Sequence, residues 1–174
     1  MQINAKLSKD KRIEIAAEEI FSKYGYEKAT LDQIISLADV GKGTVYKYFG
    51  NKEQLFYKLV SAKNEPFVEA LRVAVESESE LKDKLTAYFK VMVEFYQKNC
   101  ALWQIIYYEM LNDTHCTVVF DDEDNAQVIS RYSEDTVSDE VKERFLRYHN
   151  LLTSEFEILY KIVVDGMREG SLKS

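Results

Sequence analysis

Thr30-Leu31-Asp32-Gln33-Ile34-Ile35-Ser36-Leu37-Ala38-Asp39-Val40-Gly41-Lys42-Gly43-Thr44-Val45-Tyr46-Lys47-Tyr48-Phe49-Gly50 is the stretch on which the fold turns. Thr30 and Gln33 stand three apart as a capping-box pair, the reciprocal arrangement that starts a helix. Leu31, Ile34, Ile35 and Ala38 follow at helical period for about two turns. Asp39-Val40-Gly41 breaks that helix, and a new one starts at Lys42 with Val45 and Phe49 facing inward. Gly50-Asn51 ends it, and Asn51 with Gln54 opens the next as another capping pair. Two short helices joined by a tight turn make a helix-turn-helix unit. Val40 is apolar inside the turn, where it plugs the angle, and Ala38 is small where the helices must approach. The outward set on the second of these helices is Lys42, Thr44, Tyr46, Lys47 and Tyr48, which contains no acid. A merely solvated face mixes both signs. In a major groove, the first residues of such a helix reach base edges and the rest lie along phosphates. Gly41-Lys42-Gly43 also begins a glycine-rich nucleotide loop, but Tyr46 stands where the third glycine belongs and no strand precedes it.

Upstream, Ile13, Ala16, Ala17, Ile20, Phe21 and Tyr24 form one apolar stripe at helical spacing. Ser8 is placed to cap this helix and Gly25 to end it. Charge supports a reading head. Residues 1–58 hold ten basic against eight acidic residues, a net +2, while residues 59–174 hold thirteen against twenty-two, a net −9. A mildly basic head on an acidic body places any polyanion at the head.

The segments Thr30–Ile34, Ala38–Phe49 and Asn51–Leu55 resemble the DNA-binding signature of TetR-type transcriptional regulators over about residues 8–60. The resemblance implies an all-α fold: a three-helix helix-turn-helix DNA-binding domain over residues 1–52, then a helical-bundle effector-binding and dimerisation domain over 53–174. Carried over by position, it implies that Lys42, Gly43 and Thr44 approach bases. Tyr46, Lys47, Tyr48 and Lys52 would bind phosphates, with Thr30 adding a contact from its helix start. Two residues in the turn depart from the pattern: Asp39 stands where glycine is common, and Gly41 where a small polar residue is usual. Aspartate tolerates positive φ better than most residues, and Gly41 offers the recognition helix no side-chain cap.

In the body, a fourth helix runs from Lys52 with Leu55, Phe56, Leu59 and Val60 buried, and meets the sole proline, Pro66. There the helix either kinks or gives way to a new one. A fifth helix carries Leu81, Leu85, Tyr88, Phe89, Met92 and Tyr96. A sixth, Ala101–Leu111, is apolar on several sides and is expected to be buried between others. Asn112–Ser138 breaks the period. A seventh, from Asp139, carries Val141, Phe145, Tyr148, Leu152, Phe156, Leu159, Val163 and Met167. Pockets between bundle helices are apolar with a few polar groups. The effector candidates are Phe89, Met92, Tyr96, Trp103, Tyr107, Glu109, Tyr148 and Phe156, with His149 as a further polar group. Glu109 is either a buried counter-charge for a cationic ligand or an exposed or paired helical glutamate. In the resembled family, a Gly-x-x-x-Gly-like stretch such as Gly166–Gly170 precedes two more helices that form most of the dimer interface. The sequence reaches Ser174, so a homodimer is expected to recruit the seventh helix.

The remaining observations exclude. The chain has 174 residues, 46% hydrophobic and 30% charged, with six glycines, too few turn formers for an all-β fold. No apolar run approaches the roughly 18 residues of a membrane span, and the N-terminus lacks a secretory h-region, which points to the cytoplasm. Cys100 and Cys116 form neither a disulfide framework nor a CxxC pair. Calcium at Asp121-Asp122-Glu123-Asp124 would need glycine at 126 and glutamate at 132, where the chain has Ala126 and Tyr132. No metal site, no cofactor and no catalytic motif is expected. The resulting expectation is a ligand-responsive repressor, released from a palindromic operator by a small apolar or aromatic effector. The rival is a DNA-anchored helical factor whose acidic body docks a protein and takes no effector.

Overall fold

A computed structural model of the chain describes residues 3–111, 116–120, 126–130 and 137–172. Helices α1 (Lys9–Lys28), α2 (Leu31–Ala38), α3 (Lys42–Phe49), α4 (Lys52–Glu76) and α5 (Leu81–Ile105) follow in order. A π-helical turn (Ile106–Leu111), strands β1 (Cys116–Phe120) and β2 (Ala126–Ser130), and helix α6 (Asp139–Arg168) complete them. The chain forms two compact units, residues 1–63 and 64–174. The division falls inside α4.

In the first unit, Ile13, Ala16, Ala17, Ile20 and Phe21 of α1 are buried with Ile34 and Ala38 of α2, and Val45 and Phe49 of α3. Leu55, Phe56, Leu59 and Val60 of α4 join them. Helical dihedrals break at Gly25, whose φ of 76° and ψ of 175° suit glycine alone. That break changes which tyrosine is inside. Tyr24 is 39% exposed, whereas Tyr26 is buried and packs edge-on against Phe56 with centroids 5.5 Å apart. Ser8 holds the N-cap position of α1 without capping it, its hydroxyl bonding the Asp10 carboxylate instead.

In the second unit, Phe67, Val68, Leu71 and Val75 of α4 form a core with Tyr88 of α5 and Ile162 of α6. α4 continues through Pro66, so no new helix starts there. The fifth and sixth helices expected from the sequence are one: α5 runs unbroken to Ile105 and widens there into the π turn. Nor is Ala101–Leu111 buried all round. Leu102, Trp103, Ile105, Ile106 and Met110 face in, but Tyr107 is 39% and Tyr108 70% exposed.

Part of the aperiodic region is an antiparallel hairpin in which Cys116 pairs with Ser130 and Val118 with Val128. β-Branched residues in Cys116-Thr117-Val118-Val119 favour a strand, and Cys116 and Val128 pack on Phe145 of α6. The acidic run Asp121–Asp124, His115 and Tyr132 lie outside the described residues.

On α6, Phe145, Tyr148 and Leu152 are buried as the period requires, but the stripe then departs from it. Glu155, Ile162 and Gly166 are buried, while Phe156 and Met167 are exposed. A Cβ at Gly166 would stand 3.1 Å from both Leu81 methyls, so glycine allows α6 and α5 to close there.

Candidate functional sites

The outward face of the head is set by three local devices. At the start of α2, the Gln33 backbone N–H donates to Thr30 Oγ1 at 3.2 Å, and the Thr30 N–H donates to Gln33 Oε1 at 2.8 Å, completing the box. In the turn, Asp39 takes the left-handed conformation, φ 51° and ψ 56°, the one positive-φ non-glycine among the described residues. Its N–H donates to the Ser36 carbonyl and that of Val40 to the Ile35 carbonyl, both at 3.3 Å. At the start of α3, Gly41 supplies no side-chain cap.

With Val45 and Phe49 turned inward, Lys42, Gly43, Tyr46, Lys47 and Tyr48 are exposed and Thr44 is half-buried. A Cβ at Gly43 would meet nothing within 4 Å, so its missing side chain serves no contact inside the head. Lys42 Nζ lies 3.4 Å from Asp32, a pair exposed at both ends and worth little. Arg12 lies 3.7 Å from Asp39 and braces the turn from α1.

Lys52 is spent differently from the phosphate role assigned to it by position. Its ammonium donates to the carbonyls of Tyr26 at 2.9 Å, Ala29 at 3.2 Å and Glu27 at 3.4 Å, and sits 4.3 Å over the Tyr26 ring. An ammonium has three donors, and these carbonyls use all three. Lys58 donates to the Tyr48 carbonyl at 2.7 Å and caps the end of α3. Both lysines hold the head together.

In the body, Tyr96, Cys100, Trp103, Gln104, Tyr107 and Tyr108 line a surface depression of about 490 Å³ beside the π turn. Tyr96, Trp103 and Tyr107 of the sequence candidates meet there. The other five, Phe89, Met92, Glu109, Tyr148 and Phe156, do not line it: Phe89 is half exposed in a groove with Leu81 and Leu85, and Met92 packs on the α4–α6 core. Tyr148 is fully buried, and Phe156 is 52% exposed. Glu109 is half-buried within the π turn. His149 stacks on Phe145, centroids 5.9 Å apart.

Sequence reasoning missed Glu155. It is completely buried and accepts a 2.5 Å hydrogen bond on Oε1 from the Tyr96 hydroxyl. Its backbone carbonyl accepts from the Tyr88 hydroxyl at 3.1 Å. Burial pushes the Glu155 carboxyl up to about 7, opposed by the Tyr96 bond. Desolvation raises the Tyr88 phenol to about 12, and raises Tyr96 and Tyr107 as well, so all three are neutral donors or acceptors at physiological pH. Tyr96 and Tyr107 are hydrogen-bonded to each other, giving a chain from the depression to Glu155. The only available signal was an acid at the seventh position after Tyr148 on the same helical face.

Comparison with known proteins follows this division. The family model for bacterial regulatory proteins of the tetR family matches residues 15–59. The uncharacterised HTH-type transcriptional regulator YhgD of Bacillus subtilis is 46% identical over 50 residues, 29% of this chain and 26% of that one. The fatty acid metabolism regulator protein of Bacillus subtilis is 33% identical over 70 residues, covering 40% of this chain and 36% of its own. These matches therefore span about a quarter to a third of the curated relatives. Among solved structures, a tetR-family bacterial regulatory protein from Rhodococcus superposes with a TM-score of 0.69 at 21% identity, over 95% of this chain and 73% of that one. FadR from Bacillus subtilis, in complex with stearoyl-CoA, gives 0.66 at 21% identity, over 94% and 74%. At these identities the likeness shows a shared fold.

Proposed function

We propose that this chain, whose residues 15–59 make it a member of the tetR family of bacterial regulatory proteins, is a one-component, ligand-responsive transcriptional regulator. The observation that carries this reading is the acid-free outer face of α3, with Lys42, Tyr46, Lys47 and Tyr48 exposed and open space before Gly43. Lys42, Gly43 and Thr44, in its first turn, reach base edges. Tyr46, Lys47 and Tyr48 lie along phosphates, and Thr30 adds a contact from the start of α2. Lys52 and Lys58 position that surface.

Two copies place their recognition helices in successive major grooves of a pseudo-palindromic operator, about 34–36 Å apart. One head alone reads too few base pairs for useful specificity. The protein acts as a repressor in the cytoplasm, and a small apolar or aromatic effector in the body favours a state of lower operator affinity. Support for the effector comes from the aromatic depression at Trp103 and from a fold shared with a regulator solved in complex with stearoyl-CoA.

Selection of bound duplexes from a random pool tests the reading. Enrichment of an inverted repeat with half-sites one helical turn apart is the expected result. Retention of all duplexes alike would overturn it. Loss of the selected duplex on adding small apolar molecules separates an effector-controlled regulator from a DNA-anchored docking protein.

A further inference from the structure

Glu155 is a buried acid without a cation. Among the described residues, no lysine, arginine or histidine pairs with it, and its Oε2 is buried with no hydrogen-bond partner. An unsatisfied buried carboxyl oxygen is costly, and such atoms in a folded protein call for an explanation. Close by, Trp103 is 1% exposed yet lines the depression, and its Nε1 has no partner among the described residues. Tyr96 belongs to both places, lining the depression and holding Glu155 Oε1. Its ring stands at 76° to that of Trp103, centroids 6.4 Å apart. Aromatic faces meeting at a steep angle beside a buried carboxyl are what an organic ammonium requires: ring quadrupoles around the charge and an acceptor for its N–H.

We propose that this depression binds a lipophilic organic ammonium, whose N–H donates to Glu155 Oε2, whose charge lies against Tyr96 and Trp103, and whose apolar tail crosses Tyr107 and Tyr108. The inference rests on the reading of the body as an effector site and names the chemical class of that effector. Rotation of Tyr96 opens the path from the depression to the carboxyl. A carboxylate or phosphate head group is disfavoured there, because it brings a like charge to Glu155 and has no proton to donate. A neutral alcohol can donate but gains no charge attraction. Burial holds the carboxyl near 7, so an arriving ammonium also favours loss of its proton to solvent, and the pair forms charged.

Decylamine, decanol and decanoate share one tail and differ only in head group, which makes them suitable probes below their micellar concentrations. Binding to the whole chain is read by calorimetry and by emission of the sole tryptophan, Trp103. The ammonium is expected to bind about ten-fold tighter than decanol, the scale of a desolvated cation–π contact. Decanoate should bind weakest. Glu155→Gln keeps the shape and the Tyr96 bond, and should abolish the preference while decanol affinity holds. Trp103→Phe should reduce the preference with Glu155 intact. Equal affinities, a preference for decanoate, no binding of any probe, or a preference surviving in Glu155→Gln would each overturn the proposal. The wild-type comparison decides the matter even if neither variant folds. Should decanol or decanoate release the selected duplex without any preference for the amine, the ammonium assignment fails and the regulator stands. Should the amine bind as expected but leave DNA binding unchanged, the site stands and the effector reading fails.

Discussion

Glu155 shows how one side chain can set the pH response of a fold. In the unfolded chain its carboxyl titrates near 4.5, and in the fold burial raises it to about 7. Between these values the unfolded chain has given up a proton that the folded chain keeps. Stability therefore falls as pH rises through that window. Glu155→Gln should raise the melting temperature more at pH 8 than at pH 5, where the native carboxyl is already neutral; an equal effect at both would mean that Glu155 is not buried uncharged. In the head, Lys47→Ala should weaken binding to all duplexes alike and reduce the salt slope by about one, with the melting temperature unchanged. An unaltered slope would remove Lys47 from the phosphates. Lys52→Ala should do the reverse, lowering the melting temperature of the head with little change in slope. The exposure of Lys47 was legible from the period of α3. The bracing role of Lys52 was not, because its carbonyl partners lie 23 to 26 residues earlier in the chain and only tertiary packing brings them there.

At the scale of elements, caps and periods located α1, α2 and α3, because each short helix carries its own start and stop chemistry. Thr30→Ala removes half of the box and should cost about 1 kcal/mol, measured by denaturant unfolding of the chain. An undiminished midpoint would show that tertiary packing alone holds α2. Pro66 sits within α4 and withholds one N–H from it. Pro66→Ala should raise stability by roughly 1–3 kcal/mol, and a loss would show that the local geometry imposed by proline is needed. The apparent gap between two helices at Gln97-Lys98-Asn99-Cys100 is only the outer face of α5, where Asn99 bonds back to the Phe95 carbonyl at 2.9 Å. On α6, a buried glutamate occupied a core position. An apolar count therefore chose Phe156 next to it, and the inferred stripe drifted towards solvent. The hairpin was missed because its strands are only five residues long. Loss of helical period was visible there, but strand pairing was not.

At the scale of the molecule, the exposed stripe Phe156, Tyr160 and Met167 on α6 is the surface a second copy would cover, and it belongs to the acidic part of the chain. Sedimentation equilibrium at micromolar concentration should report a dimer, which Phe156→Asp shifts towards monomer. A dimer indifferent to that change would place the interface elsewhere. The all-α plan was readable because helical periods dominate the chain, whereas the lining of the body site depends on which faces of α5 and α6 meet. The π turn at Ile106–Leu111 has one further consequence, which concerns chain length. A π turn carries more residues per turn than an α turn, so the backbone there can lose one residue and still close as an ordinary helix. Because the π turn already holds one residue more than an α turn, deleting Tyr107 would leave Met110 near its place in the core but would remove one wall of the aromatic depression. Shortening the chain at this point should spare its helicity and its core while opening one side of the depression beside Trp103.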